Sequence, residues 1–144
     1  MNTSKVQYFF ILVFLFLING SCKKNEDVVP YVKVNFIIQL SDPDFTTLQT
    51  IGNHVFVTGG VCGISIYRIS QGEFSALDRC CSYKPSDRCT LVCDSINQTV
   101  LKCNCCHSQF SIIDGSVLSG AASTPLTAYS TKYDAVSNSL QVYN

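Results

Sequence analysis

The sequence predicts an all-β domain, an antiparallel sandwich or barrel, and three observations carry that expectation. Short apolar runs alternate with polar residues at period two. Clusters of Gly, Pro, Asp, Asn and Ser punctuate these runs, and after residue 31 no stretch repeats apolar residues at helical spacing. At 144 residues the chain has the size of a single domain.

Val32, Val34, Phe36, Ile38 and Leu40 alternate with Lys33, Asn35, Ile37 and Gln39, a half-buried strand that ends at the turn cluster Ser41-Asp42-Pro43-Asp44. His54 to Thr58 is a second strand, closed by Gly59-Gly60. Gly63 to Ile69 and Phe74 to Leu77 form a hairpin around Ser70-Gln71-Gly72. Leu91 to Cys93 and Val100 to Lys102 flank Ser95-Ile96-Asn97-Gln98, a second hairpin. Phe110 to Ile113 runs into Asp114-Gly115 and then Val117-Leu118; Leu126 to Thr131 and Leu140 to Val142 complete the set. Short strands with polar turns at this spacing belong to sandwiches and barrels.

The N-terminal residues 1–21 read as an export signal of the lipoprotein type. Lys5 supplies the positive start and Phe9 to Ile18 ten consecutive apolar residues, fewer than the roughly 20 that a spanning helix needs. Asn19, Gly20 and Ser21 then lead to Cys22, resembling a lipobox in which Asn19 stands where leucine is preferred. The polar residues 22–30 read as a tether, and residues 31–144 as the domain. The expectation is a bacterial cell-envelope protein held on a lipid membrane through acylated Cys22.

Charge narrows the partners. Ten basic and ten acidic residues cancel, which excludes a nucleic-acid binder held by phosphate contacts. Nine cysteines point to export with disulfides or to metal ligation. Beyond Cys22, seven of the remaining eight fall between Cys80 and Cys106, in two groups: Cys80-Cys81 with Cys89 and Cys93, then Cys103-Asn104-Cys105-Cys106-His107. Two such loops beside short strands suit a metal gripped from two hairpin tips, and they equally suit an all-disulfide staple or a zinc site using Cys103 and Cys106.

At these residues the chain resembles the Rieske [2Fe–2S] family. Cys103-Asn104-Cys105-Cys106-His107-Ser108-Gln109-Phe110, Asp114-Gly115, Gly120-Ala121-Ala122 and Pro125-Leu126 follow the order and spacing of the family's second half, and Cys81-Ser82-Tyr83 stands at its first Cys-x-His. The likeness covers Val55 to Val142 and is nearest to bacterial Rieske-like lipoproteins. It implies an antiparallel β fold with two cysteine-bearing loops around a [2Fe–2S] cluster, and electron transfer to an envelope redox partner. Carried over, Cys81 and Cys103 take the cysteine positions, while Tyr83 and Cys106 stand at the histidine positions.

Neither of those is histidine, and the chain has only His54 and His107. A two-histidine centre is therefore excluded. Three chemistries remain. Cys81, Cys103 and Cys106 hold a cluster with a fourth ligand from Tyr83, Cys80 or His107; or the thiols are joined as disulfides in a binding or structural module; or they hold zinc. Tyrosine is the poorest ligand of the three, its free pKa being about 10. The resemblance also implies a disulfide between the loops at Cys89 and Cys105, and a hydrogen bond from Ser108 to a cluster sulfur. Cys80, Cys93 and Cys62 keep open pairings. No nucleophile and base stand together in a way that marks a catalytic residue.

Overall fold

A computed structural model describes residues 27–144. The expected export signal, Cys22 and most of the expected tether fall outside the described residues.

Among the described residues ten strands form two antiparallel sheets. The larger orders β1 (Asn35–Gln39), β10 (Ser139–Tyr143), β9 (Ala128–Asp134), β4 (Phe74–Asp78), β3 (Ile64–Arg68) and β2 (His54–Val57) side by side. The smaller is β5 (Val92–Cys93), β6 (Val100–Lys102), β7 (Gln109–Ser111) and β8 (Val117–Ser119). Each expected strand is present, with ends shifted by a few residues.

Two of those shifts have a physical cause. The apolar alternation starts at Val32, but paired backbone starts at Asn35, and Val32 is exposed. Before that point the Asn144 side chain stands in for a ladder partner: its Oδ1 accepts the Val34 N–H at 3.0 Å and its Nδ2 donates to the Val32 carbonyl at 2.8 Å. The turn cluster at Ser41 to Asp44 extends into a 3-10 helix, Pro43–Gln49, because Pro43 presets its first turn and Leu48 is fully buried.

The large sheet curls so that its two ends share one core. Ile38, Leu140 and Val142 from β1 and β10 pack with Ile64, Ile66 and Phe74 from β3 and β4. A second core lies under the small sheet, where Leu77, Leu91, Leu101, Phe110, Ile112 and Leu126 meet. Strands β3 and β4 belong to both, so all five residues of each are buried and neither shows alternation. Arg68 ends β3 inside this packing. Its guanidinium donates to the carbonyls of Leu48, Gln49, Ser70 and Gln71, tying the 3-10 helix to the β3–β4 turn.

The second core positions the cysteines. The β4–β5 connection (79–91) carries Cys80, Cys81 and Cys89, and the β6–β7 connection (103–108) carries Cys103, Cys105 and Cys106. Cys81 and Cys103 are themselves buried members of that core.

Candidate metal centre

Each cysteine loop is closed at its base by backbone pairing. In the first, Leu91 N–H donates to the Arg79 carbonyl at 2.7 Å and Cys81 N–H to the Cys89 carbonyl at 3.0 Å. In the second, Cys103 and Ser108 pair across the loop, and His107 N–H donates back to the Cys103 carbonyl, each at 2.9 Å. That tight return needs left-handed backbone at His107, φ 59°.

The two loops meet tip to tip. A disulfide joins Cys89 to Cys105, with 6.3 Å between their Cα atoms. Behind it the thiols of Cys81, Cys103 and Cys106 converge, every pair of sulfurs within 4.8 Å and Cys81 Sγ 3.5 Å from Cys106 Sγ. A pocket of about 120 Å³ opens between the loops beside these thiols.

Electrostatics sets the thiols apart. Burial is the main reason that the Cys81 thiol is pushed up to about 12, with Cys103 and Cys106 adding to the rise against a lowering backbone contact at Tyr83. At Cys106 burial again pushes upward and is the largest single influence. The Ser108 hydroxyl and backbone, followed by the Cys103 and Cys81 thiols, together outweigh it and bring Cys106 below the ordinary thiol value. Of Cys81 and Cys106, Cys106 is thus the first to ionise.

The side chains named for a fourth ligand separate in space. Tyr83 lines the pocket rim and is 44% exposed. His107 is exposed and does not line the pocket. Cys80 is fully buried and turned the other way, its thiol 3.8 Å from the Pro85 carbonyl and grouped with Cys62 and Asp78. His54 lies on β2, its ring tilted against that of Phe56 with ring centres 5.0 Å apart. Cys93 points its sulfur at the Gln98 carbonyl, 3.4 Å away in the β5–β6 turn.

These residues fit a thiolate-held metal group in three of four positions. Three convergent sulfurs and a pocket with room for several atoms suit a metal; of the three side chains named for the fourth position only Tyr83 lines that pocket, and the Asp87 carboxylate lines it too. The donor set does not fit a two-histidine centre, since neither histidine reaches the pocket.

The supporting contacts of Ala122, Asp78 and Tyr129 are not legible in the sequence. Ala122 N–H donates to Ser108 Oγ at 2.9 Å, so the segment after Gly120 braces the second loop. Asp78 is fully buried and accepts from Tyr129 OH at 2.7 Å and from the N–H groups of Val61, Cys62 and Cys80. One signal for it is visible: a lone carboxylate ends the apolar run Phe74 to Leu77, two residues before Cys80. Nothing in the sequence pairs it with Tyr129, fifty-one positions away.

Two antiparallel sheets with two thiol-bearing loops clamped by a disulfide define a Rieske-like β fold. The solved structures most similar to it include one chain of the complex of reduced oxygenase and oxidized ferredoxin in carbazole 1,9a-dioxygenase. It is 19% identical with a TM-score of 0.50, over 77% of this chain and 99% of that one. The ferredoxin of carbazole 1,9a-dioxygenase from Nocardioides aromaticivorans IC177 is 14% identical with a TM-score of 0.51, over 78% and 98%. At these identities the likeness is one of fold. Comparison of the sequence with protein-family models and with curated proteins finds no match.

Proposed function

We propose that this chain is a Rieske-like electron-transfer domain of the bacterial cell envelope, holding a [2Fe–2S] cluster in a thiolate-rich site. The observation that carries the reading is the convergence of Cys81, Cys103 and Cys106 between disulfide-clamped loops of a Rieske-like fold. Cys81, Cys103 and Cys106 would hold the group, with Tyr83 at the fourth position. Bound there, the cluster would supply one-electron transfer. Three thiolates in place of two neutral imidazoles add negative charge, so the potential belongs below that of two-histidine centres. The Cys89–Cys105 bridge keeps the loops together, and the Ser108 hydroxyl, which accepts from the Cys106 thiol at 3.2 Å, would donate to a thiolate there. A redox partner is in keeping with the similar ferredoxin described in complex with an oxygenase.

Anchoring through acylated Cys22 belongs to the same proposal. Asp27 accepts from the hydroxyl of Ser86, within the first cysteine loop, at 2.7 Å. Five residues span at most about 18 Å, so a lipid at Cys22 would keep that loop close to the membrane surface.

A second reading has its own support. A tetrahedral zinc ion with Zn–S bonds of about 2.3 Å sets its sulfurs about 3.8 Å apart. The mutual closeness of the three thiols suits a single ion of that kind.

Anaerobic purification of the full chain, with metal and acid-labile sulfide analysis, decides between them. The cluster reading expects about two irons and two sulfides per chain, a paramagnetic signal on reduction, and loss of both in Cys103→Ser. Zinc alone would select the second reading. A colourless, iron-free protein without free thiols at Cys81, Cys103 and Cys106 would refute both, and leave a disulfide-stapled binding or structural module.

A further inference from the structure

A second pair of cysteines lies on the far side of the first loop's root. Cys62 Sγ, Cys80 Sγ and a carboxylate oxygen of Asp78 all lie within 4.8 Å of one another, and among the described residues neither sulfur is in a disulfide. We propose that Cys62 and Cys80 are a dithiol that closes into a second intramolecular disulfide when it meets a disulfide oxidant, whether or not the loops hold a metal.

The arrangement is held from several sides. Cys62 N–H and Cys80 N–H both donate to the same oxygen, Asp78 Oδ1, at 3.2 and 2.8 Å. Arg79 N–H donates to the Gly63 carbonyl at 2.9 Å, docking the turn that carries Cys62 onto the end of β4. Gly60 lets that turn approach closely: its φ is +58°, and a Cβ there would collide with the Asp78 carboxylate and the Tyr129 hydroxyl. The two thiols therefore meet through rigid backbone.

Asp78 also argues against a metal at this place. Its Oδ1 takes the two cysteine N–H groups, while Oδ2 takes Val61 N–H at 2.6 Å and Tyr129 OH at 2.7 Å. Four donors occupy the roughly four lone-pair sites of a carboxylate. A cation would find two sulfurs and no free oxygen. What remains is the chemistry of two adjacent thiols.

Access gives the order of events. Cys62 is half-buried and Cys80 fully buried. Cys62 as thiolate attacks one sulfur of the oxidant's S–S bond, and the other sulfur leaves as a thiolate. Cys80, having given up its proton, then attacks the Cys62 sulfur of the mixed disulfide and expels the second thiolate. Two protein thiols become one disulfide, and one oxidant disulfide becomes two thiols, with both protons and both electrons accounted for. Because Cys80 directly precedes Cys81, the new bond ties the root of the first loop to the 59–63 turn, as Cys89–Cys105 ties its tip to the second loop.

The test uses the full chain, reduced, exposed to oxidised glutathione, denatured in excess alkylating agent and mapped by mass spectrometry without reductant. A peptide pair linked through Cys62 and Cys80 is expected. It should disappear with dithiothreitol and in Cys62→Ser, and persist in Cys93→Ser. Free alkylated thiols at both positions, a glutathione adduct resting on Cys62, or Cys80 bridged to another cysteine would overturn the proposal. Should Cys62→Ser fail to fold, the wild-type map decides alone.

Discussion

The Ser108 hydroxyl stands between the Cys106 sulfur and the backbone of Ala122. Its oxygen is 3.2 Å from Cys106 Sγ and accepts the Ala122 N–H at 2.9 Å. With a lone pair so engaged, the hydroxyl proton is free to turn toward a thiolate at Cys106. Ser108 is fully buried, and Gly120 approaches it so closely that a Cβ there would lie 2.8 Å from Ser108 Oγ.

Ser108→Ala should raise the Cys106 thiol, because the first of the influences that outweigh burial is removed. Alkylation of Cys106 in the metal-free protein, followed against pH, should shift to higher pH. The orphaned Ala122 N–H should also cost about 1–3 kcal/mol of stability. An unchanged alkylation profile would show that the hydroxyl does not tune this thiol.

Removing the clamp should loosen both loops. The Cys89–Cys105 bridge spans a sequence separation of 16, and closing a loop of that length stabilises by about 3 kcal/mol in the chain-entropy model. The double variant Cys89→Ser/Cys105→Ser should lose about that much in chemical denaturation, and hydrogen exchange at residues 81–89 and 103–108 should speed up. No gain in exchange at either loop would contradict a clamping role.

Two glycine substitutions should part company. Gly120→Ala places a methyl against Ser108 at a φ of +99°, so it should destabilise strongly and disturb the Cys106 environment. Gly72→Ala, in the open β3–β4 turn, meets nothing within 4 Å and should change the melting temperature little. Comparable effects of the two would mean that the close approach at Ser108 is unimportant.

Acid should weaken the fold through His54. Burial first, and then the Arg79 guanidinium, hold its pKa below the ordinary value; that guanidinium sits over the Phe56 ring, 3.7 Å from its centre. The unfolded chain then takes the proton more readily than the native one. This contribution is complete above the unfolded pKa of about 6.5, and it falls away as pH drops through that value toward the lower folded one. Melting temperatures between about pH 8 and pH 5.5 should fall less in His54→Gln than in the parent, and equal slopes would exclude the histidine as the cause.

Fold class and strand placement were legible because period-two alternation is a local property, set by which face each residue presents. Strands β3 and β4 were harder, since burial of both faces erases alternation, yet the turn Ser70-Gln71-Gly72 still marked their hairpin. The 3-10 helix at Pro43–Gln49 was hidden behind residues that suit a turn equally well. Cys81, Cys103 and Cys106 stood out by motif order, but their shared pocket was not readable from spacing.

Local pattern alone dictates an all-β chain with two cysteine loops, and the two histidines limit what those loops can hold. How the other cysteines are grouped follows from packing between distant segments. Cys80 and Cys81 are neighbours in the chain, and neighbouring residues of extended backbone point to opposite sides. Cys81 therefore faces the loop pocket, while Cys80 turns to Cys62 and the buried carboxylate of Asp78. The partners of each are set by which turns and strands pack against those two sides.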